Sequence, residues 1–254
     1  MSLGEAKYRN EEPAPGVTLR GVLAAAAVCP HPPLLVPEAA AGAAAEMDDV
    51  RAACDAAVGV LAAARQDLIV VVGGAAPEEK DDEFGPGAAG SLGGFGVDWA
   101  TGDGEPVLPL SLTIGRWLLE RGGLLDTRVL LRAVPFDAPT AACLALGEDL
   151  ARCAPRVAVL VMGDGSARRS TKAPGYLDPR AQRYDADVAA ALASADSARL
   201  ARLDPALSAE LMVAGRASWQ VLAGAAAGGR FRGQLHRVAA PYGVGYLVAS
   251  WKAT

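Results

Sequence analysis

The sequence predicts an α/β fold in which a mostly parallel sheet is flanked by helices and finished by a C-terminal antiparallel hairpin. Three observations carry that prediction. Runs of small and branched apolar residues without charge recur at Val22–Cys29, after Asp67 through Val72, and after Arg156 through Met162, as strands buried on both faces of a parallel sheet require. Between the first two lies an alanine-rich stretch, Glu38 to Arg65, whose Met47, Val50, Cys54, Val58 and Leu61 fall at spacings of three and four. That is the stripe of an amphipathic helix, and strand, helix, strand is a βαβ unit expected to be parallel and right-handed. Near the end, Gln234 to Ala240 and Val244 to Trp251 flank Pro241-Tyr242-Gly243, the pattern of a hairpin at one margin of the sheet.

The bulk numbers agree with one large core. At 254 residues, 52% hydrophobic and 21% charged, the chain suits a single α/β domain, 21–254, with a small appendage. A net charge of −5 disfavours nucleic acid and anionic membrane as partners and favours a small molecule or another protein. Nothing reaches the roughly eighteen consecutive apolar residues of a membrane span. Arg20 followed by Gly21 to Cys29 imitates a secretion signal, but Lys7, Arg9 and Arg20 are offset by Glu5, Glu11 and Glu12. Cysteines 29, 54, 143 and 153 form no CxxC and no metal-ligand spacing. They read as buried free thiols of a reducing, cytoplasmic setting.

In chain order, residues 1–20 are polar and without period, a disordered leader. The first strand stops at Pro30-His31-Pro32-Pro33; no helix passes through such a segment, and Pro32 biases His31 towards extended geometry. His31 therefore falls just beyond the carboxyl end of a central strand, where open α/β sheets bind ligands. The second strand ends in Gly73-Gly74. Residues 75–105, with a charged cluster and eight glycines from Gly85 to Gly104, read as a glycine-rich loop or lid. Ser111 caps a helix running to Glu120. A third strand, Arg128 to Pro135, and a third helix, Thr140 to Cys153, follow.

The fourth strand opens into Gly163-Asp164-Gly165-Ser166-Ala167-Arg168-Arg169. Its glycines permit tight or positive-φ backbone, and Asp164 shares the carboxyl edge with His31. Residues 170–183 form an irregular basic loop with Lys172, Tyr176, Arg180 and Arg183. Helices are expected from Asp185 to Ala195 and from Pro205 to Ala227, the latter announced by Asp204 as N-cap and Pro205 at the first helical position.

His31 and Asp164 are the candidates for catalysis. His31 is either a pocket residue or a histidine hydrogen-bonded within the proline turn; Asp164 either faces the pocket or satisfies donors of the glycine turn. Gly73, Gly74, Ser166 and Tyr176 complete the expected ligand-binding edge. Arg168 and Arg169 read as solvated surface or as a carboxylate or phosphate clamp, where the guanidinium fork suits an anion. His236, in the hairpin, reads as structural.

At these residues the chain resembles a known family. PHPPLL after an alanine-rich strand, DLIVVVG, MGDGSAR, VAGRASWQVLAGAA and PYGVGYLVASW occur in this order in the class III extradiol ring-cleavage dioxygenase superfamily, in its LigB-subunit-like actinobacterial group, related to the Memo proteins. The resemblance covers residues 21–252. It implies a central mixed sheet with helices on both faces and a cleft at the strand ends. It also implies Fe(II) or another divalent metal held by two histidines and a glutamate, with a further histidine as acid/base; such a facial triad leaves positions open for a catecholate and O2.

Carried over by position, His31 matches the first metal histidine, while the second would follow strand two, at Gly73-Gly74. Asp164 matches an aspartate of the family, the catalytic histidine corresponds to Ala167, and the Memo-like third ligand to Ala214. Glu210 is the one neighbouring carboxylate that could replace it. One histidine and one aspartate make a poor iron site.

Three functions follow as expectations. The first is a divergent, metal-independent member of the superfamily that binds a small anionic or aromatic ligand. The second is an active Fe(II)-dependent ring-opening dioxygenase using His31. The third is a non-catalytic scaffold or partner subunit, a homodimer being consistent with the superfamily's dimeric enzymes.

Overall fold

A computed structural model describes residues 21–76 and 83–254. The leader and most of the charged cluster before Gly85 lie outside the described residues.

Strand β1 (Val22–Cys29) leads through a 3-10 turn at Pro33–Leu35 into α1 (Pro37–Ala40), a 3-10 segment (Ala41–Met47) and α2 (Asp48–Ala62). Then come β2 (Leu68–Ala75), the two-residue strands β3 (Glu83–Phe84), β4 (Gly90–Ser91) and β5 (Ala100–Thr101), and α3 (Leu110–Arg121). Next are β6 (Val129–Pro135), α4 (Thr140–Arg152) and β7 (Arg156–Met162). Helices α5 (Ala181–Ser194), α6 (Ser197–Ala201), α7 (Pro205–Glu210) and α8 (Arg216–Ala225) precede the strands β8 (Phe231–Ala239) and β9 (Tyr246–Ala253).

The main sheet has seven strands in the order β3-β6-β2-β7-β1-β9-β8. Its centre, β6-β2-β7-β1, is parallel; β3, β9 and β8 are antiparallel additions at the margins. The predicted class is therefore observed. Along β2 the side chains alternate between two cores: Val70 and Val72 pack towards α4, α5 and α8, while Ile69 and Val71 pack towards α2 and α3. Both faces are covered, which is why these strands carry uninterrupted Val, Leu and Ala. Among the described residues no helix is long and apolar enough to cross a membrane.

Several boundaries differ from the sequence expectation. The helix expected over 38–65 is broken by the 3-10 segment Ala41–Met47, and the stripe of larger buried apolar residues begins at Met47. The helix expected over 205–227 breaks between α7 and α8. There Val213 bridges to Ser166 and Met212 adopts φ +53°. Ser111 is not a cap: Pro109 holds that position, and the Ser111 hydroxyl donates to the Gly74 carbonyl at 2.7 Å. The described part of 75–105 is pinned rather than free. Strand β3 pairs with β6, and Arg116 donates to Thr101 at 2.7 Å. Cys153 is exposed, in contrast to the other three thiols, because it follows the last turn of α4.

Helices α4 and α8 cross closely at two glycines. A Cβ on Gly147 would lie 2.0 Å from the Val221 carbonyl oxygen, and one on Gly224 would lie 2.1 Å from that of Leu144. Gly147→Ala is expected to destabilise the protein by about 1 to 3 kcal/mol or more, since the obstacle is backbone. Gly59→Ala, in α2 with nothing within 4 Å, should stabilise it by about 0.5 to 1 kcal/mol. Urea denaturation of both variants checks the pair; equal effects would contradict the packing.

Candidate functional site

The parallel ladder between β1 and β7 continues past both strands, the Gly163 N–H donating to the Cys29 carbonyl at 2.9 Å. Two strands ending together deliver His31 and Asp164 to one place. The His31 backbone N–H donates to Asp164 Oδ1 at 2.8 Å, and His31 Nδ1 stands 3.8 Å from the same oxygen. His31 is 5% exposed. Its Nδ1, not its Nε2, is the ring nitrogen buried without a partner. Burial pushes the Asp164 carboxyl above the ordinary carboxylate range, while His31 pulls it back.

The turn around Asp164 is woven into two other segments. The Asp164 carbonyl accepts from Gly215 N–H at 2.8 Å, Gly165 N–H donates to the Gly245 carbonyl at 2.7 Å, and Gly245 N–H returns to that of Ser166 at 2.9 Å. Neither glycine of the turn has positive φ. What excludes a side chain is proximity: a Cβ on Gly163 would lie 2.5 Å from Gly215 Cα, and one on Gly165 would lie 2.7 Å from Asp185 Oδ1.

Sequence reasoning passed over Tyr246. It opens β9, and because β9 runs antiparallel to β1 its first residue lies at the edge where β1 ends. Tyr246 is 3% exposed, and burial followed by the charge of Asp164 pushes its hydroxyl well above the ordinary tyrosine value. Register alone, applied to PYGVGY, would have placed it.

The other expected residues are committed elsewhere. Ser166 is fully buried; its hydroxyl donates to the Leu211 carbonyl at 2.7 Å and its N–H to Asp185 Oδ1 at 2.9 Å. Arg169 pairs with the buried Asp185 at 2.7 Å, and Arg168 donates to the Glu210 carbonyl at 2.9 Å. These contacts tie the turn to α5 and α7 rather than presenting a free anion clamp. Tyr176 is 63% exposed with φ +58°. Glu210 pairs with Arg180 at 2.8 Å. His236 shares a hydrogen bond with Ser250 across the hairpin at 2.8 Å, a structural role.

Gly73 and Gly74 lie inside β2, paired with Ala133 and Val134, not beyond its end. A Cβ on Gly73 would lie 2.3 Å from Ser111 Oγ, and one on Gly74 would lie 2.2 Å from the Phe136 ring. A larger side chain at either position would therefore meet these neighbours. Among the described residues no three His, Cys, Asp or Glu side chains gather in a group able to hold a metal ion. The residues present do not fit an iron triad.

Beside this edge opens a pocket of about 540 Å3 whose walls include Phe136, Pro205, Met212, Val213, Ala214 and Arg216. Phe136 and Met212 are 39% and 48% exposed. A larger cavity, about 730 Å3, lies at the opposite edge of the sheet around Gly21, Arg152 and Arg230.

No family model matches the sequence, and no curated protein matches it. Among solved structures, the chain is similar to the crystal structure of the uncharacterized protein JW3007 from Escherichia coli K12. The TM-score is 0.51 at 15% identity, over 90% of this chain and 99% of that one. At that identity the likeness establishes the fold alone.

The raised Asp164 carboxyl gives a pH test. A carboxyl that binds its proton more readily when folded adds stability below the unfolded carboxylate range, and this is lost as pH rises through the folded value. Asp164→Asn keeps an acceptor for the His31 N–H and removes the titration. The wild-type protein should therefore gain stability relative to the variant as pH falls from about 7 towards 4. A difference in unfolding free energy that stays constant across that range would contradict the assignment.

Proposed function

We propose that this chain is a divergent, metal-independent member of the class III extradiol dioxygenase superfamily, of its LigB-like group. In this reading it takes a small aromatic ligand in the pocket between Phe136 and Met212. One observation carries the reading: what stands at the superfamily's donor positions. Where a second metal histidine would follow strand two, Gly73 and Gly74 are packed against Ser111 and Phe136. Where a third donor would stand, Ala214 walls an apolar pocket.

That pocket, at about 540 Å3, has the size and lining of a small-molecule site. One aromatic ring, Phe136, and the Met212 thioether suit a flat apolar ligand. Arg168 and Arg169 are engaged with Glu210 and Asp185, which turns the reading from an anion held by those two residues towards an aromatic ring. His31 adds a polar group at the strand edge, with Asp164 fixing its backbone. A cytoplasmic setting accords with four free cysteines.

Oxygen uptake with catechol and added ferrous iron is expected to stay at the level of buffer. Ala214→Phe, which fills the pocket, should weaken a neutral aromatic probe such as benzamide by about tenfold or more in calorimetric titration, the equivalent of about 1.4 kcal/mol of lost contact. Catechol-dependent oxygen uptake that His31→Ala abolishes would overturn the reading.

A further inference from the structure

Arg216 occupies the first position of α8 and is 2% exposed. Arginine stays charged throughout the pH range a protein tolerates, so this side chain brings a full positive charge into the interior. Its hydrogen bonds go to neutral acceptors. Nη1 reaches the Ala138 carbonyl and, at 3.2 Å, Gln220 Oε1; Nη2 reaches the Phe136 carbonyl at 2.6 Å. Nε, also buried, has no partner.

Among the described residues, two other arginines are buried and differ in one respect. Arg51 faces Asp48 and Arg116 faces Glu120, whereas no carboxylate among the described residues pairs with Arg216. Its hydrogen bonds explain what holds the guanidinium in place. They do not neutralise it, and a buried charge without a counter-charge is costly.

Arg216 also lines the 540 Å3 pocket between Phe136 and Met212. The positive end of the α8 dipole reaches the same wall. Asp137, the carboxylate of that pocket, is exposed, where solvent screens it. We infer that Arg216 is the counter-charge for a bound anion, and that the pocket takes an apolar monocarboxylate, its carboxylate turned to Arg216 and its hydrocarbon part against Phe136 and Met212.

This inference rests on the pocket reading above and names the group that reading leaves open. The test uses the full chain labelled at its methionine methyls and two matched pairs of probes, benzoate with benzamide and hexanoate with hexanamide. Each acid should bind at least about tenfold tighter than its amide, the scale of a charge-assisted hydrogen bond, and should move the Met212 methyl resonance. Arg216→Gln, where it folds, should bring acid and amide to equal affinity; the comparison on the unmodified chain stands without it.

Equal affinities for acid and amide, with Met212 still shifting, would overturn the carboxylate inference and leave the aromatic pocket standing. Acids that bind no tighter than their amides would overturn the carboxylate inference, and failure of both probe classes to bind would overturn both readings. Tight acid binding that leaves Met212 unmoved would put the anion elsewhere and likewise overturn the inference.

Discussion

Asp164 holds the carboxyl edge of this sheet together. Its side chain accepts the His31 N–H from the end of β1, its carbonyl accepts the Gly215 N–H at the start of α8, and it directly follows the glycine that bonds Cys29. Three segments distant in sequence meet at one residue. A desolvated carboxyl is expensive, and the His31 N–H offsets that cost only where the backbone is fixed. The surrounding glycines allow it: Gly163 lies against Gly215 and Gly165 against Asp185, with no room for a Cβ at either.

The rest of the edge follows from that convergence. Pulling the segment before α8 onto the turn breaks the long helix expected after Pro205 and leaves Leu211–Gly215 as a link, with Val213 paired to Ser166. The link and Phe136 form walls of the pocket. Asp185 secures the other side of the turn through Ser166 and Arg169. A buried pair of this kind adds little net stability, yet removing one partner typically costs about 3 to 5 kcal/mol. Its function here is to fix one arrangement of the turn.

Much of the fold was legible because burial on both faces writes itself as unbroken apolar runs: β1, β2, β6 and β7 sit within a residue or two of their expected bounds. One of the two expected caps was legible too, Asp204 accepting from the Ala206 N–H ahead of Pro205, whereas Ser111 turned instead to the Gly74 carbonyl. What pairs with what was not. Strand β7 inserts between β1 and β2, and periodicity carries no information about strand order. The proximity of His31 and Asp164 could be anticipated, since both follow parallel strands at one edge. The commitment of Arg169 to Asp185 could not, because it depends on where α5 docks. Gly73 and Gly74 were expected at the end of strand two as part of the ligand-binding edge, whereas the structure pairs both within the strand, where they admit Ser111 and Phe136. Arg216 hid within an apolar helix pattern, its lack of a counter-charge visible only in three dimensions.

This edge brings one histidine and one carboxylate together with no third metal donor gathered among the described residues, and an apolar pocket opens beside it. Anaerobic binding of ferrous iron, measured as metal retained per chain after gel filtration, tests it most directly. No stoichiometric retention is expected, and no difference between the wild-type protein and His31→Ala. One iron per chain, lost in His31→Ala, would contradict it.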